Sequence, residues 1–308
     1  MKEQHSLFTP GKKFLVATAA IAVLFSAHCG TSRGITMTDE NVVRSDSKGL
    51  PADVAKLWEK RHIESSLAQA LPKLEALADK NPGDYNLQII AARANYTYAD
   101  GHLFLKMTED NENQIKPQLT KLYDKAIQYA ERAMSLQPDF KKKVKGGGSI
   151  EDSLELLSKD YIDSIYWRYA SLARWSRLEG TATLLRNKGK FTKMIKRVEA
   201  LDPNYFFGAV FRYYGGAETL SPTGSMAKGK ENFEKAIALE GRFFGNHVLY
   251  ADIWAAKKLD KALFEKELNF VISNKPEILG KPEWVPEQII EQEKAKKFLK
   301  EIETRNFD

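Results

Sequence analysis

Cysteine is almost missing from this chain: there is one in 308 residues, Cys29. A lone cysteine excludes an internal disulfide and any cysteine-based metal site, so the fold has to hold by packing. Histidine is scarce as well. His5, His28, His62, His102 and His247 form no HExxH pattern, and no nucleophile elbow is present. Gly146-Gly147-Gly148 lacks the Lys-Ser/Thr that a phosphate-cradling loop needs. These gaps leave no catalytic constellation, no metal site and no cofactor motif, and so point away from an enzyme. No apolar run reaches the ~20 residues a membrane-spanning helix requires. The formal charge of +6 is spread over interspersed signs. The one basic run, Lys141-Lys142-Lys143-Val144-Lys145, reads as a solvated loop beside its glycines and not as a nucleic-acid surface.

The chain opens with Lys2, Lys12 and Lys13, followed by an apolar run of about a dozen residues from Phe14 to Phe25. Leu24-Phe25-Ser26-Ala27-His28-Cys29-Gly30 comes next and resembles a bacterial lipoprotein signal, in which the cysteine is lipidated and becomes the first mature residue. Two departures are His28, where a small residue is usual, and the larger distance of Leu24 from the cysteine. The alternative is an ordinary secretory signal cut near Ala27 or Cys29. Both readings put the body outside the cytoplasm, where it meets little nucleic acid. They divide the chain into a signal peptide (1–28), a flexible tether rich in Thr, Ser, Gly and Asp (29–50), and a folded body (51–308).

From Pro51 onward apolar residues recur at intervals of three and four, and β-type alternation is scarce, so the body is expected to be all-α. Asn81-Pro82-Gly83, Gln137-Pro138-Asp139, Asp202-Pro203-Asn204, Glu240-Gly241 and Lys275-Pro276 each end an amphipathic stretch. Pro203, Gly241 and Pro276 are spaced by about 38 and about 35 residues, close to the ~34-residue tetratricopeptide period; the earlier spacings are longer. Helix pairs are expected at about 52–66/68–80, 85–106/117–136, 152–187/190–201, 205–219/227–240 and 244–257/260–273, with a capping helix at about 285–304. The reading is a tetratricopeptide-like stack of antiparallel helix hairpins. A non-repeat helical bundle is the alternative. The outer face of the last helix (Glu291, Glu293, Lys294, Lys296, Lys297, Lys300) reads as exposed to water.

Two aromatic clusters are candidates for ligand contact. In the segment Tyr161–Leu178, Tyr166 and Trp167 lie among Arg168, Arg174 and Arg177. An inward guanidinium needs a carboxylate partner or a polar cavity, because burying it unpaired costs several kcal/mol. A pocket with apolar walls and one or two arginines suits an amphipathic organic anion. The second cluster holds Phe211, Arg212, Tyr214 and Glu218, joined by Tyr250 and Trp254. Plain core packing is the other role open to these side chains. Gly215-Gly216 costs roughly 1 kcal/mol per glycine in a helix, and calls for a close backbone approach or a helix end.

The second half resembles the T-component lipoproteins of tripartite ATP-independent periplasmic (TRAP) transporters. The stretches that carry the resemblance are Tyr166-Trp167, Leu201-Asp202-Pro203-Asn204-Tyr205-Phe206-Phe207-Gly208-Ala209, Pro222 and Gly224 ahead of Phe233-Glu234-Lys235-Ala236-Ile237, His247-Val248-Leu249-Tyr250-Ala251, Leu263-Phe264-Glu265 and Glu293-Lys294-Ala295. Where the family usually has a Gly-Gly-Asp turn after the proline, this chain has Thr223-Gly224-Ser225-Met226 without the aspartate, and Ser225 can take over as N-cap. The resemblance implies an all-α lipoprotein facing the periplasm, associated with a periplasmic solute-binding protein and forming a homotrimer. It further implies handling of a small hydrophobic or organic-acid solute. A scaffold lipoprotein that joins envelope proteins without a small ligand is the competing function. The lipidation expectation has a direct check. Cys29→Ala should abolish membrane retention, read as loss of partitioning into a detergent phase; unchanged partitioning would refute it.

Overall fold

The structure is a computed structural model that describes residues 33–47, 49–305 and 307. Cys29 and residues 1–28, read from sequence as an export signal, lie outside the described residues. The helices are α1 (Ala52–Glu59), α2 (Glu64–Lys80), α3 (Tyr85–Tyr98), α4 (Phe104–Lys106), α5 (Glu112–Met134), α6 (Pro138–Lys145), α7 (Ile162–Leu178), α8 (Thr181–Leu201), α9 (Tyr205–Leu220), α10 (Met226–Leu239), α11 (Phe244–Leu249), α12 (Ala256–Lys258), α13 (Lys261–Ser273) and α14 (Val285–Lys300). Among the described residues there are no strands, and the all-α expectation holds. No described helix is long and apolar enough to cross a membrane.

Side-chain caps start several of these helices. The Asp84 carboxylate accepts from the Leu87 amide (3.0 Å), and Asp260 does the same for Leu263 (2.9 Å). Ser225 accepts from the Lys228 amide at 3.3 Å and opens α10 as anticipated. Boundaries differ from the sequence reading in several places; α5 and α8, expected from about 117 and 190, begin at Glu112 and Thr181. The first pair breaks at Lys60–Ile63, not near residue 67. The long helix expected over 152–187 begins only at Ile162 and stops before Gly180, whose φ of +103° favours glycine. The basic run is not a loop: it forms α6, and three of its four lysines are engaged. Buried Lys141 donates to the carbonyl of Asp39 (2.9 Å), Lys143 pairs with Glu155 (2.7 Å) and Lys145 with Glu40 (2.5 Å).

Residues 33–47, assigned from composition to the tether, lie against the body. Arg33 pairs with Asp124 and Glu131 at 2.7 Å each, and Ser45 forms a parallel bridge to Asp84. The Arg44 guanidinium sits over the rings of Tyr85 and Tyr161 at 4.2 and 4.5 Å.

Apolar side chains collect into two main cores. One, from α3, α5, α7, α8 and α9, includes Ile127, Met134 and Ile165. The other, from α10 to α14, centres on Phe233, Phe244 and Phe264, all without exposed surface. Two helical segments carry an extra residue in a π-turn, Ala99–Leu103 between α3 and α4 and Tyr250–Ala255 between α11 and α12. Such turns bulge the backbone and re-aim side chains. Both face the gap left where the two cores meet.

Gly215 and Gly216 separate the two explanations for a glycine pair in α9. A Cβ on Gly215 would lie 2.8 Å from the ring of Phe233, so close helix approach demands glycine there. At Gly216 a Cβ would meet only Ile253 at 3.7 Å. Gly215→Ala should therefore destabilise the protein by about 1–3 kcal/mol through overpacking. Gly216→Ala should be neutral or stabilising by up to about 1 kcal/mol, both measured by urea denaturation.

Candidate functional site

Two cavities lie side by side in the gap between the cores. The larger, about 240 Å³, is enclosed by α7, α8 and α9 with Leu249 and Ile253 closing one side. Its walls are mainly apolar: Tyr169, Ala170, Ala173, Leu184, Phe191, Ala209 and Ala217. Leu185 and Leu220 also line it and are 51% and 53% exposed, which makes an apolar rim. Four cations line this cavity, Arg174, Arg177, Lys188 and Arg212, and no carboxylate stands among its lining residues.

The smaller chamber, about 100 Å³, is bounded by the first π-turn, α11 and α14 and is rich in charge. Tyr96, Tyr166, Arg174, Arg212 and Leu249 border both spaces, so these five side chains form the partition between them. In the chamber wall, Asp100 is buried and accepts from three helices: Arg174 of α7 (2.9 Å), Lys294 of α14 (2.6 Å) and the Tyr123 hydroxyl of α5 (3.2 Å). Burial acts to raise the pKa of Asp100. Arg174 and Lys294 outweigh it and hold the carboxyl at about 2. Burial, then the Asp100 charge, pushes the Tyr96 hydroxyl up to about 12.

The cations of the larger cavity are not equally engaged. Arg212 donates to the carbonyls of Phe206 (2.8 Å) and Phe207 (2.9 Å) and to the Asn246 side chain (2.6 Å). Those carbonyls belong to a turn in which Phe206, Phe207 and Gly208 all have positive φ, at 46°, 55° and 88°. A left-handed conformation costs a non-glycine residue roughly 1–2 kcal/mol. The turn is held by Arg212, by the Asn246 amide on the Phe207 carbonyl (3.1 Å), and by Phe243 and Trp284, whose rings contact both phenylalanines. Lys188 donates to Ser221 (2.8 Å) and Arg174 pairs with Asp100. Arg177, at the exposed side of the cavity, has no hydrogen-bonding partner among the described residues; desolvation and then the like charge of Arg174 lower its pKa, while Asp252 and Asp100 act on it in the opposite sense.

Of the residues singled out from sequence, Tyr166, Trp167, Arg174 and Arg212 stand on cavity walls. The others lie elsewhere. Arg168 is buried in ion pairs with Glu131 (3.0 Å) and Glu151 (2.9 Å), and is occupied in tying α7 to α5. Phe211, Tyr214 and Glu218 sit on the face of α9 away from both cavities. Tyr214 donates to Glu199 (2.7 Å), and Glu218 accepts from the Ser225 amide (2.8 Å). Tyr250 stacks on Phe233 within the second core, and the Trp254 indole donates to the Met226 carbonyl (2.7 Å). Lys294, expected on a solvated face, is buried on Asp100 and Glu291.

Sequence reasoning missed Tyr96, Asp100 and Lys294 as wall residues. The available signal was a carboxylate, Asp100, inside an otherwise apolar stretch: such a group needs a cation from another helix. Among the described residues no group of His, Cys, Asp and Glu is arranged to hold a metal ion.

Asp100 makes a pH-dependent contribution whose sign follows from its lowered pKa. The stability it supplies is fully present above about pH 4, near its ordinary value of 3.8, and is lost as pH falls towards 2. Asp100→Asn should cost about 3–5 kcal/mol at neutral pH, the usual effect of stranding buried cations. It should also flatten the decline in stability between pH 4 and pH 2, measured by denaturant titration across pH.

No curated protein matches the chain. The family model of the TRAP transporter T-component matches residues 61–305, which span α2 to α14 and every wall of the two cavities. The chain belongs to the TRAP transporter T-component family.

Proposed function

We propose that this protein is a lipid-anchored, periplasmic accessory component of a TRAP transporter. It holds or passes a small hydrophobic or organic-acid solute in the cavity between α7, α8 and α9, and docks a solute-binding protein. Membership of the family supports a part in a TRAP transporter working with other transporter proteins. Anchoring through Cys29 and assembly as a homotrimer, with a tetratricopeptide-like stacking of the hairpins, belong to the same proposal.

The observation that carries the ligand reading is the make-up of the larger cavity: apolar walls, four cations and no lining carboxylate. Apolar area removed from water supplies roughly 25 cal/mol per Å² to a bound alkyl or aryl group. A carboxylate head would meet Arg177 first, since the other three cations already have partners. A guanidinium whose donors are not taken up by a hydrogen-bonded carboxylate gains more from an incoming anion than one already paired in that way. The apolar rim at Leu185 and Leu220 suits a surface that a partner protein covers when solute is handed over. A scaffold without a small ligand would leave this cavity without a role.

Titration calorimetry with octanoate, and with octanol as its uncharged counterpart, tests the proposal. Octanoate should bind the wild-type protein. Arg177→Gln should weaken octanoate by about tenfold or more, the scale of a hydrogen bond to a charged group, and leave octanol unchanged. Equal loss for both ligands, or no binding of octanoate, would remove the organic-anion reading.

A further inference from the structure

A third space, about 220 Å³, opens on the far side of the charged chamber, between the end of α1 and the turn that leads into α14. Trp58, Trp284, Pro282 and Pro286 give it apolar walls. Arg61 and Arg93 line it as well. It shares no wall residue with the larger cavity between α7, α8 and α9.

We propose that this tryptophan-walled recess is a second, separate binding site, which takes the carboxylate of a small aryl or short-chain organic acid on Arg93. The proposal does not depend on the reading of the larger cavity.

Arg93 is poorly satisfied for an arginine with little exposed surface. Among the described residues its one hydrogen bond runs from Nη2 to Glu287 Oε1 and is long, at 3.3 Å. Glu287 is already taken by Arg61, which reaches one oxygen through Nε at 2.8 Å and the other through Nη2 at 2.5 Å. Two guanidiniums thus share one carboxylate within hydrogen-bonding reach. Asp163 acts on Arg93 electrostatically, but its carboxylate is bonded by the Tyr205 hydroxyl. Glu59 and Glu283 lie at the exposed rim. The Nε of Arg93 is buried with no partner among the described residues, while 19% of the side chain remains accessible. Arg168 and Arg174 provide the contrast: paired carboxylates raise their pKa values in spite of burial, whereas burial lowers that of Arg93.

What holds Arg93 in place is aromatic. Its guanidinium lies 5.5 Å from the ring centre of Trp58, 5.5 Å from Trp167 and 4.7 Å from Trp284. Indole faces stabilise a cation but do not accept its N–H groups in line, so the donor capacity stays unused. A carboxylate can accept two parallel N–H bonds from one guanidinium, a geometry that an ammonium cannot offer. Flat indole faces and proline rings around it would take the apolar part of the same molecule. The chemistry of the recess is therefore that of a small, flat or short acid.

The test uses the detergent-solubilised full chain with benzoate, and benzamide as its uncharged isostere, followed by calorimetry and tryptophan fluorescence. Benzoate should bind and perturb the fluorescence, and benzamide should bind about tenfold more weakly or worse. Arg93→Gln should reduce benzoate affinity by about tenfold or more, while Arg177→Gln leaves it unchanged. Trp284→Leu, which keeps Arg93 and removes one wall, should also weaken benzoate, and it decides the matter if Arg93→Gln does not fold. Equal binding of benzoate and benzamide, no benzoate binding by the wild type, or wild-type affinity in either recess variant would overturn the proposal. Loss of benzoate binding in Arg177→Gln would assign the probe to the larger cavity and overturn it too. Because octanoate binding is read at Arg177 and benzoate binding at Arg93, one site can fail without the other.

Discussion

One carboxylate links the two halves of the molecule. Asp100 sits on a π-turn between α3 and α4 and takes donors from α5, α7 and α14. Without it, Arg174 would lose its carboxylate and buried Lys294 would keep only Glu291, and breaking a buried pair in this way costs several kcal/mol. With it, the last helix of the chain is fixed against the first core. The π-turn is what allows this: the extra residue aims Asp100 inward, and Gly101 lets Ile290 approach to a distance a side chain would forbid, 2.9 Å from where a Cβ would stand. The charged chamber, its partition and the position of α14 all follow from this arrangement.

Charge pairing then decides what each arginine of α7 can do. Arg168, Arg174 and Arg177 share one helix, yet their surroundings differ completely. Arg168 is neutralised by Glu131 and Glu151 and serves stability. Arg174 is tied to Asp100 while forming part of the partition. Arg177 has no hydrogen-bonded carboxylate among the described residues, feels Asp252 and Asp100 only electrostatically, and lines the apolar cavity. Arg93 shows the same logic outside α7. In this protein the arginines with unmet donors, not the arginines as a class, mark the places where an anion would gain most.

The left-handed turn at Phe206-Phe207-Gly208 illustrates local strain borne by tertiary bonds. Two phenylalanines occupy a region of backbone space that favours glycine, so the local sequence disfavours the conformation by a few kcal/mol. Arg212 and Asn246 bind the exposed carbonyls, and Phe243 and Trp284 pack on the rings. The result carries Phe206 into the wall of the charged chamber and leaves Phe207 against Lys281 at 5.9 Å.

The sequence alone determined the helical class, the stops at Pro82, Pro138, Pro203 and Gly241, and the cap at Ser225, because each rests on periodicity or backbone chemistry within a few residues. It also located the aromatic density of α7 and α9. Tertiary structure decided which of those side chains border space. Phe211, Tyr214 and Glu218 share a face at helical spacing, but the cavity lies behind the opposite face, through Arg212, Tyr213 and Gly216. It decided that Lys294 is buried, since its partner Asp100 is 194 positions away. It decided as well that Lys141, Lys143 and Lys145 of α6 are bonded and that residues 33–47 lie on the body. The reason is the same in each case. A helix's apolar stripe can be read from spacing of three and four, but whether a charge on it is spent or free depends on a counter-charge that only the folded chain brings within 3 Å.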